Sequence, residues 1–384
     1  MRLPRVAVIT PGTFPIPSGA SSSVERVVEY VVGLASDRVE ARIYARQWPG
    51  QELYGSVRGV PCERVRSSGG SRYILGVIAK LQQFDPDIIQ VENRPRFVLT
   101  VKQLLPHKSV WLNLHSTTFM SKQHIPARKL RAAFRAAQRI FVNSRYLYNQ
   151  VVSRAPDCAD KVIVNPLGVD GGRFKSRWDE EGERRYLAGK QMQGWSERRI
   201  ILYVGRLIPL KGVHHLIQLM PRLARAHPDV LLVVVGSASY GSRRRTKYVR
   251  RLERLSRRCE RHIRFIPYVS HEEVPAWYAL ADMVVVPSVE REAFGLVNVE
   301  AMATGVPVVA SRVGGIQEVV VDGVTGLLVP PYRLQRGLAQ SLERLLANQE
   351  ECERFGRAGV AHVEASFTWK RTAERWVSEV EQLR

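Results

Sequence analysis

The strongest constraint on the fold is a phrase that recurs along the chain. A short apolar run rich in β-branched residues ends at a glycine, proline or serine, and a longer helical pattern follows. The runs at 6–10, 41–45, 88–91, 109–114, 140–143 and 162–164 set the rhythm in the first half. Helical periodicity fills the intervals at 23–34, 72–81 and 128–138. Strand, helix, strand at this spacing specifies a parallel sheet covered by helices on both faces. The rhythm breaks across 177–198, a charged and polar stretch containing Trp178-Asp179-Glu180-Glu181. It then restarts with runs at 199–204, 230–235, 263–266, 283–286 and 306–310.

A chain of 384 residues suits two domains better than one. The expected division is a first domain over 1–176 and a linker with a short helix over 177–198. A second domain over 199–366 follows, then a helix over 367–384 that packs back toward the first domain. The fold class is α/β: two doubly wound, Rossmann-like domains facing each other across a cleft. In open α/β sheets ligands bind at the carboxyl ends of the strands, so the loops after the strands are where chemistry is sought.

Lys and Arg number 58 against 36 Asp and Glu, a formal net charge of +22. Such a chain is drawn to polyanions: phosphorylated ligands, an anionic membrane or nucleic acid. The four cysteines, Cys62, Cys158, Cys259 and Cys352, show no metal-ligand or Cys-x-x-Cys spacing, and free thiols in a reducing cytosol are expected. The apolar run at 6–10 is too short for a signal-peptide core, and no stretch approaches the ~20 apolar residues that span a bilayer. A cytoplasmic protein is expected.

Three loops of the second half carry the chemistry. In Tyr203-Val204-Gly205-Arg206-Leu207-Ile208-Pro209-Leu210-Lys211-Gly212, Gly205 ends a buried strand and lets the backbone turn. Arg206 and Lys211 then project at the sheet edge, where a guanidinium fork and a compact ammonium suit a diphosphate. In the loop running from Pro287 to Ala303, a helix should begin near Gly295. The free N–H groups and positive dipole end of that helix would suit a phosphate or a hydroxyl-rich group. Glu292 precedes this helix. Glu300 lies on it, sharing a face with Leu296, so the two carboxylates can accept from sugar and ribose hydroxyls. In the third loop, Gly314-Gly315 permits a close backbone approach to a ligand.

Together these loops resemble glycosyltransferase family 4, a family of retaining enzymes with the GT-B fold. The resemblance lies in Gly205-Arg206…Lys211-Gly212, in Glu292-x-Phe294-Gly295…Glu300-Ala301-Met302-Ala303, and in Gly305-x-Pro307-Val308-Val309…Gly314-Gly315-x-x-Glu318. It implies a transferase that moves a sugar from a UDP- or GDP-sugar to a glycan, a lipid-linked or a small-molecule acceptor. Arg206 and Lys211 would stabilise the departing diphosphate. Glu300 would bind the donor ribose, and Glu292 the transferred sugar. Backbone amides of Phe294, Gly295, Leu296 and Val297 would contact sugar and phosphate, and Tyr268 and Val269 would lie near the base. His115, after a strand, resembles a family histidine that approaches the sugar. Similar enzymes need no metal or other cofactor, and no Asp-x-Asp motif occurs in a suitable loop. The chain departs from the family at two places. The early loop 17–23 carries the single Gly19 where two adjacent glycines are usual, and Gln90-Val91-Glu92-Asn93 stands where the family often has histidine.

Two basic clusters remain. Arg128, Arg131, Arg135 and Arg139 recur at intervals of three and four, opposite Leu130 and Phe134. Such a face is attracted to anionic headgroups by roughly 1 kcal/mol per cation, so peripheral membrane contact is one reading and a solvated face of an Arg-rich chain the other. The second cluster, 243–261, begins with Arg243 and Arg244 and lacks the aromatic interleaving of nucleic-acid binders. A sugar-nucleotide epimerase of the same layout, or a non-catalytic sugar-nucleotide-binding relative, are the alternatives to a transferase.

Overall fold

The computed structural model describes residues 2–17, 19, 23–239 and 245–382. The chain divides into two compact units. Unit 1 comprises 1–167 with 369–384, and unit 2 comprises 168–368.

Unit 1 holds an eight-stranded sheet of β1 (Arg5–Ile9), β2 (Glu40–Arg46), β3 (Tyr54–Val57), β4 (Val60–Val65), β5 (Ile88–Glu92), β6 (Ser109–Leu114), β7 (Arg139–Val142) and β8 (Val162–Val164). Their order is β3-β4-β2-β1-β5-β6-β7-β8. All neighbours are parallel except β3 and β4. Strands β1 and β5 are buried along almost their whole length, as expected of apolar runs covered on both faces. The antiparallel pair β3–β4 was not anticipated. Arg58 and Gly59 both take positive φ, at 49° and 82°, and close a two-residue hairpin whose turn sequence is not one of the usual Asn-Gly or Asp-Gly signals.

The helix Trp369–Glu381 belongs to unit 1, where Trp369 stacks on Tyr30 at 5.1 Å between ring centroids. Its Trp376, Val377 and Val380 are buried.

Unit 2 holds a six-stranded sheet of β9 (Arg199–Val204), β10 (Val230–Val235), β11 (Ile263–Ile266), β12 (Met283–Val286), β13 (Val308–Ser311) and β14 (Gly326–Val329). The order is β11-β10-β9-β12-β13-β14, parallel throughout. The chain winds outward from β9 through β10 to β11, then returns to lay β12 on the other side of β9. The winding direction therefore reverses between β9 and β12, which makes their carboxyl ends the topological switch point.

The stretch 177–198, expected as a linker, is folded into unit 2, and the division falls at 167/168 rather than after 176. Asp179 caps the helix Glu180–Met192 by accepting from Gly182 N at 2.7 Å. Contacts to the half-buried Asp282 pin that helix: Tyr186 Oη donates to Asp282 at 2.6 Å and Lys190 Nζ at 2.9 Å. Trp178 Nε1 donates to Gly305 O at 2.7 Å. These partners lie about a hundred residues away, so a local reading of a polar stretch could not find them. Among the described residues, no helix is long and apolar enough to cross a membrane.

Candidate active site

The switch point decides which loops meet. The loop after β9 is threaded against β10: Gly205 N donates to Val235 O at 3.0 Å and Leu207 N to Ser237 O at 2.8 Å. The buried Tyr203 anchors the turn by donating its hydroxyl to Arg206 O at 2.9 Å, which leaves the Arg206 side chain exposed. A short 3-10 turn, Pro209–Lys211, then runs into Gly212 at φ 70°. A Cβ on Gly212 would stand 1.9 Å from Pro287 O, so this position needs glycine both for its conformation and for contact with the loop after β12. Val289 N donates to Leu210 O at 2.9 Å, and the two loops lie backbone to backbone.

That contact brings together two of the predicted side chains. Lys211 Nζ donates to Glu292 Oε2 at 2.5 Å, and Ser288 Oγ donates to the same oxygen at 2.9 Å. Burial alone would raise the Glu292 pKa. The Lys211 charge and hydrogen bond, the Ser288 hydroxyl and the charge of nearby Arg206 outweigh it and hold the carboxyl below its ordinary value. An ammonium has three donors, so Lys211 can bond Glu292 and still offer protons to an anion. Arg206, Lys211 and Glu292 thus form one electrostatic group at the switch point.

The glycine pair 314–315 lies against the loop that carries this group. A Cβ on Gly314 would lie 1.9 Å from Glu292 O, and one on Gly315 would lie 2.2 Å from Ala293 O. Gly315 N donates to Glu292 O at 2.9 Å. In the structure the glycines make a close backbone approach to the Glu292 loop.

Gly295 caps the helix Leu296–Ala303 in the left-handed region, at φ 89°. The Asn298 amide donates back to Gly295 O from both its backbone N and its side chain, at 2.9 Å each. Phe294 is buried and packs edge-on against Phe367. Glu300 is buried on the helix, and Tyr278 Oη donates to its Oε2 at 2.9 Å. Tyr268 and Val269 follow β11 and are half-buried.

Gly19 and His115 belong to unit 1. Gly19 sits in an exposed bend with nothing within 4 Å of where a Cβ would be. His115 follows β6 and is buried, its Nε2 2.7 Å from Glu92 Oε2. Glu92, which the sequence marks as a departure, is therefore the imidazole's partner.

The sequence profile described as Glycosyl transferases group 1 matches residues 190–362, and that of Glycosyltransferase Family 4 matches residues 23–173. The chain belongs to glycosyltransferase family 4. Spore coat protein SA of Bacillus subtilis is 29% identical over 380 residues, covering 99% of this chain and all of that protein. A D-inositol 3-phosphate glycosyltransferase of Segniliparus rotundus is 37% identical over 214 residues, 56% of this chain and 45% of that one. The crystal structure of HepE from Anabaena, in complex with UDP, superposes with a TM-score of 0.80 at 21% identity, covering 99% of this chain and all of that one. The fold is GT-B, and the chain is a glycosyltransferase.

Within this glycosyltransferase, sequence reasoning missed Ser288, Tyr278 and Glu92. Nothing local signals the first two. Gln90 and Glu92 could have been noticed, because polar residues two apart on an otherwise apolar strand share one face. The basic surfaces also change. The helix Ala127–Ala136 ends before Arg139, which opens β7 and lies 3.3 Å from Glu379, while Arg135 pairs with Asp157 at 2.7 Å. Arg128 and Arg131 remain exposed on that helix. In the second cluster, Arg243 and Arg244 lie outside the described residues. The helix Lys247–Ser256 gives way to a 3-10 segment, Arg257–His262, so the cluster is not one continuous helical face.

Proposed function

We propose that this enzyme transfers a sugar, with retention of anomeric configuration, from a nucleoside-diphosphate sugar to a hydroxyl acceptor. The observation that carries the reading is the Lys211–Glu292 pair beside Arg206 at the switch point. As the glycosidic bond to phosphate breaks, negative charge grows on the diphosphate. Fixed cations aimed at that charge lower the barrier without reorganising. Lys211 is already oriented by Glu292, so it meets the leaving group preorganised. Arg206 offers two parallel donors to phosphate oxygens. The amides of Leu296 and Val297, which open the Leu296–Ala303 helix ahead of Asn298, would donate to a phosphate or sugar oxygen.

In this reading Glu300 binds the ribose, Glu292 a hydroxyl of the transferred sugar, and Tyr268 and Val269 flank the base. The two cations do the neutralising that a divalent metal does in other transferases, and no cofactor is invoked. UDP is the favoured nucleotide, because HepE, of the same fold, has been crystallised with UDP and with UDP-glucose. The acceptor is a glycan, a lipid-linked or a small-molecule hydroxyl. Exposed Arg128 and Arg131 support contact with an anionic membrane surface on the cytoplasmic side.

Thermal-shift measurement against UDP-, GDP- and ADP-sugars, followed by NMR of the product anomer, tests this. The expected result is stabilisation by one nucleotide class and an anomeric configuration matching the donor. Inversion at the anomeric carbon, or epimerisation of donor alone without transfer, would overturn it.

A further inference from the structure

A line of buried hydrogen bonds in unit 1, with its carboxylate ionised, has only one direction of donation that satisfies it. Trp376 Nε1 lies 2.6 Å from Gln90 Oε1, Gln90 Nε2 lies 2.5 Å from Glu92 Oε1, and Glu92 Oε2 lies 2.7 Å from His115 Nε2. The four residues are 1%, 3%, 0% and 7% exposed, so the protein groups themselves must satisfy one another. An indole N–H can only donate. Gln90 must therefore turn its carbonyl oxygen to Trp376 and its NH₂ to Glu92. Asn113 Nδ2 reaches the same Glu92 Oε1 at 3.4 Å. An ionised carboxylate only accepts, so with Glu92 ionised, His115 Nε2 carries the proton. The neutral ring then has its lone pair on Nδ1. That nitrogen is buried and has no hydrogen-bond partner among the described residues. The His115 backbone is held as well: its N–H donates to Asn93 Oδ1 and its carbonyl accepts from Asn143 Nδ2, both at 3.3 Å.

We propose that Gln90 and Glu92 are positioning residues that fix the neutral form of the His115 ring with its proton on Nε2, so that Nδ1 accepts a hydrogen bond from a sugar hydroxyl. The ligand half rests on the transferase reading above, whereas the tautomer half does not. Trp376 sets the polarity of the whole line, which ties the C-terminal helix to the state of one imidazole. The isosteric Glu92→Gln reverses that state by the same logic. Gln90 and Asn113 still donate to the inner position, so the new amide places its oxygen there and its NH₂ toward His115. Nε2 must then accept, and the proton moves to Nδ1.

The test is a long-range ¹H–¹⁵N spectrum of the full chain labelled at histidine, recorded at alkaline pH with the imidazoles neutral. The His115 signals are those lost in His115→Gln. The expected result is an Nε2–H ring in the wild type and an Nδ1–H ring in Glu92→Gln. The variant's kcat should fall roughly 10- to 100-fold, the range of one mispaired buried hydrogen bond, with UDP affinity retained. A wild-type ring protonated on Nδ1, or the same tautomer in both proteins, overturns the lock. That first measurement needs only the wild type, so it decides the lock even where the variant does not fold. Full kcat in a variant whose tautomer has switched overturns the sugar contact. Should the wild type transfer nothing from any nucleotide sugar while the two tautomers differ as stated, the transferase reading falls and the lock stands.

Discussion

At the residue scale, Lys211 governs how the site responds to acid. The Glu292 pKa is depressed in the folded chain, so ionised Glu292 contributes stability that is present above its unfolded value, roughly 4.3, and is lost as pH falls through the folded value. Lys211→Met removes the largest opposing influence and leaves the carboxylate buried beside only Ser288 and Arg206. The expected result is that the gain in melting temperature between acid and neutral pH shrinks in this variant. An unchanged pH profile by scanning calorimetry would show that the pair is not coupled to folding. For catalysis, Arg206→Ala or Lys211→Ala should lower kcat by ~10²-fold or more if each stabilises the departing diphosphate, and rates at the wild-type level in either variant would remove it from that role. Glu300→Ala should weaken UDP binding by about 1.5–3 kcal/mol, the range for a hydrogen bond to a charged group. Tyr278→Phe, which takes one donor from the same carboxylate, should have a smaller effect in the same direction. Titration calorimetry on both variants measures this.

At the scale of elements, the sequence made some features readable and hid others for physical reasons. The start of the Leu296–Ala303 helix was legible because Gly295 marks it, and only glycine takes φ 89° readily beside Asn298. The parallel strands were legible because burial on both faces writes continuous apolar runs. The β3–β4 hairpin was hidden by an Arg-Gly turn, and β14, Gly-Leu-Leu-Val, by its opening glycine and its scarcity of β-branched residues. The helix Glu180–Met192 looked like a linker because its anchors, Lys190 and Tyr186, find Asp282 only in three dimensions. Gly314-Gly315 was legible as a close approach, but not what it approaches. That gives a prediction for the element that carries Glu292. Gly314→Ala should destabilise unit 2 and displace the loop, because the new Cβ meets a backbone oxygen that cannot swing aside. Gly323 has a similar positive φ, 75°, with open space around it, so Gly323→Ala reports the conformational cost alone. Gly314→Ala should exceed that control by about 1–3 kcal/mol in chemical denaturation, the usual cost of overpacking, and should lose turnover while the control keeps it. Equal behaviour of the two variants would mean the loop absorbs the clash.

At the scale of the whole molecule, the last helix belongs to the first unit, and a test follows from its energetics. Trp369 and Trp376 are buried at 6% and 1% exposure, with Val377 and Val380 beside them. Trp369 lies on Tyr30 with the ring planes 11° apart, and Arg38 bonds Glu381 through two nitrogens. Removing one buried tryptophan side chain typically costs about 3–5 kcal/mol. Two of them, with the valines, amount to most of the roughly 5–15 kcal/mol by which a domain is stable. Trp376 also terminates the line through Gln90 and Glu92 to His115. A chain ending at residue 368 should therefore lose protection in unit 1 while unit 2 keeps its own core, built on Leu202, Leu232, Val285 and Val309. Hydrogen exchange read by mass spectrometry would show fast exchange across β1, β5 and β6, with β9, β10 and β12 still protected. If both units exchanged fast, their folding would be one cooperative event. If both stayed protected, the helix would be an ornament of unit 1 rather than part of its core, and its hold on His115 would have to be local.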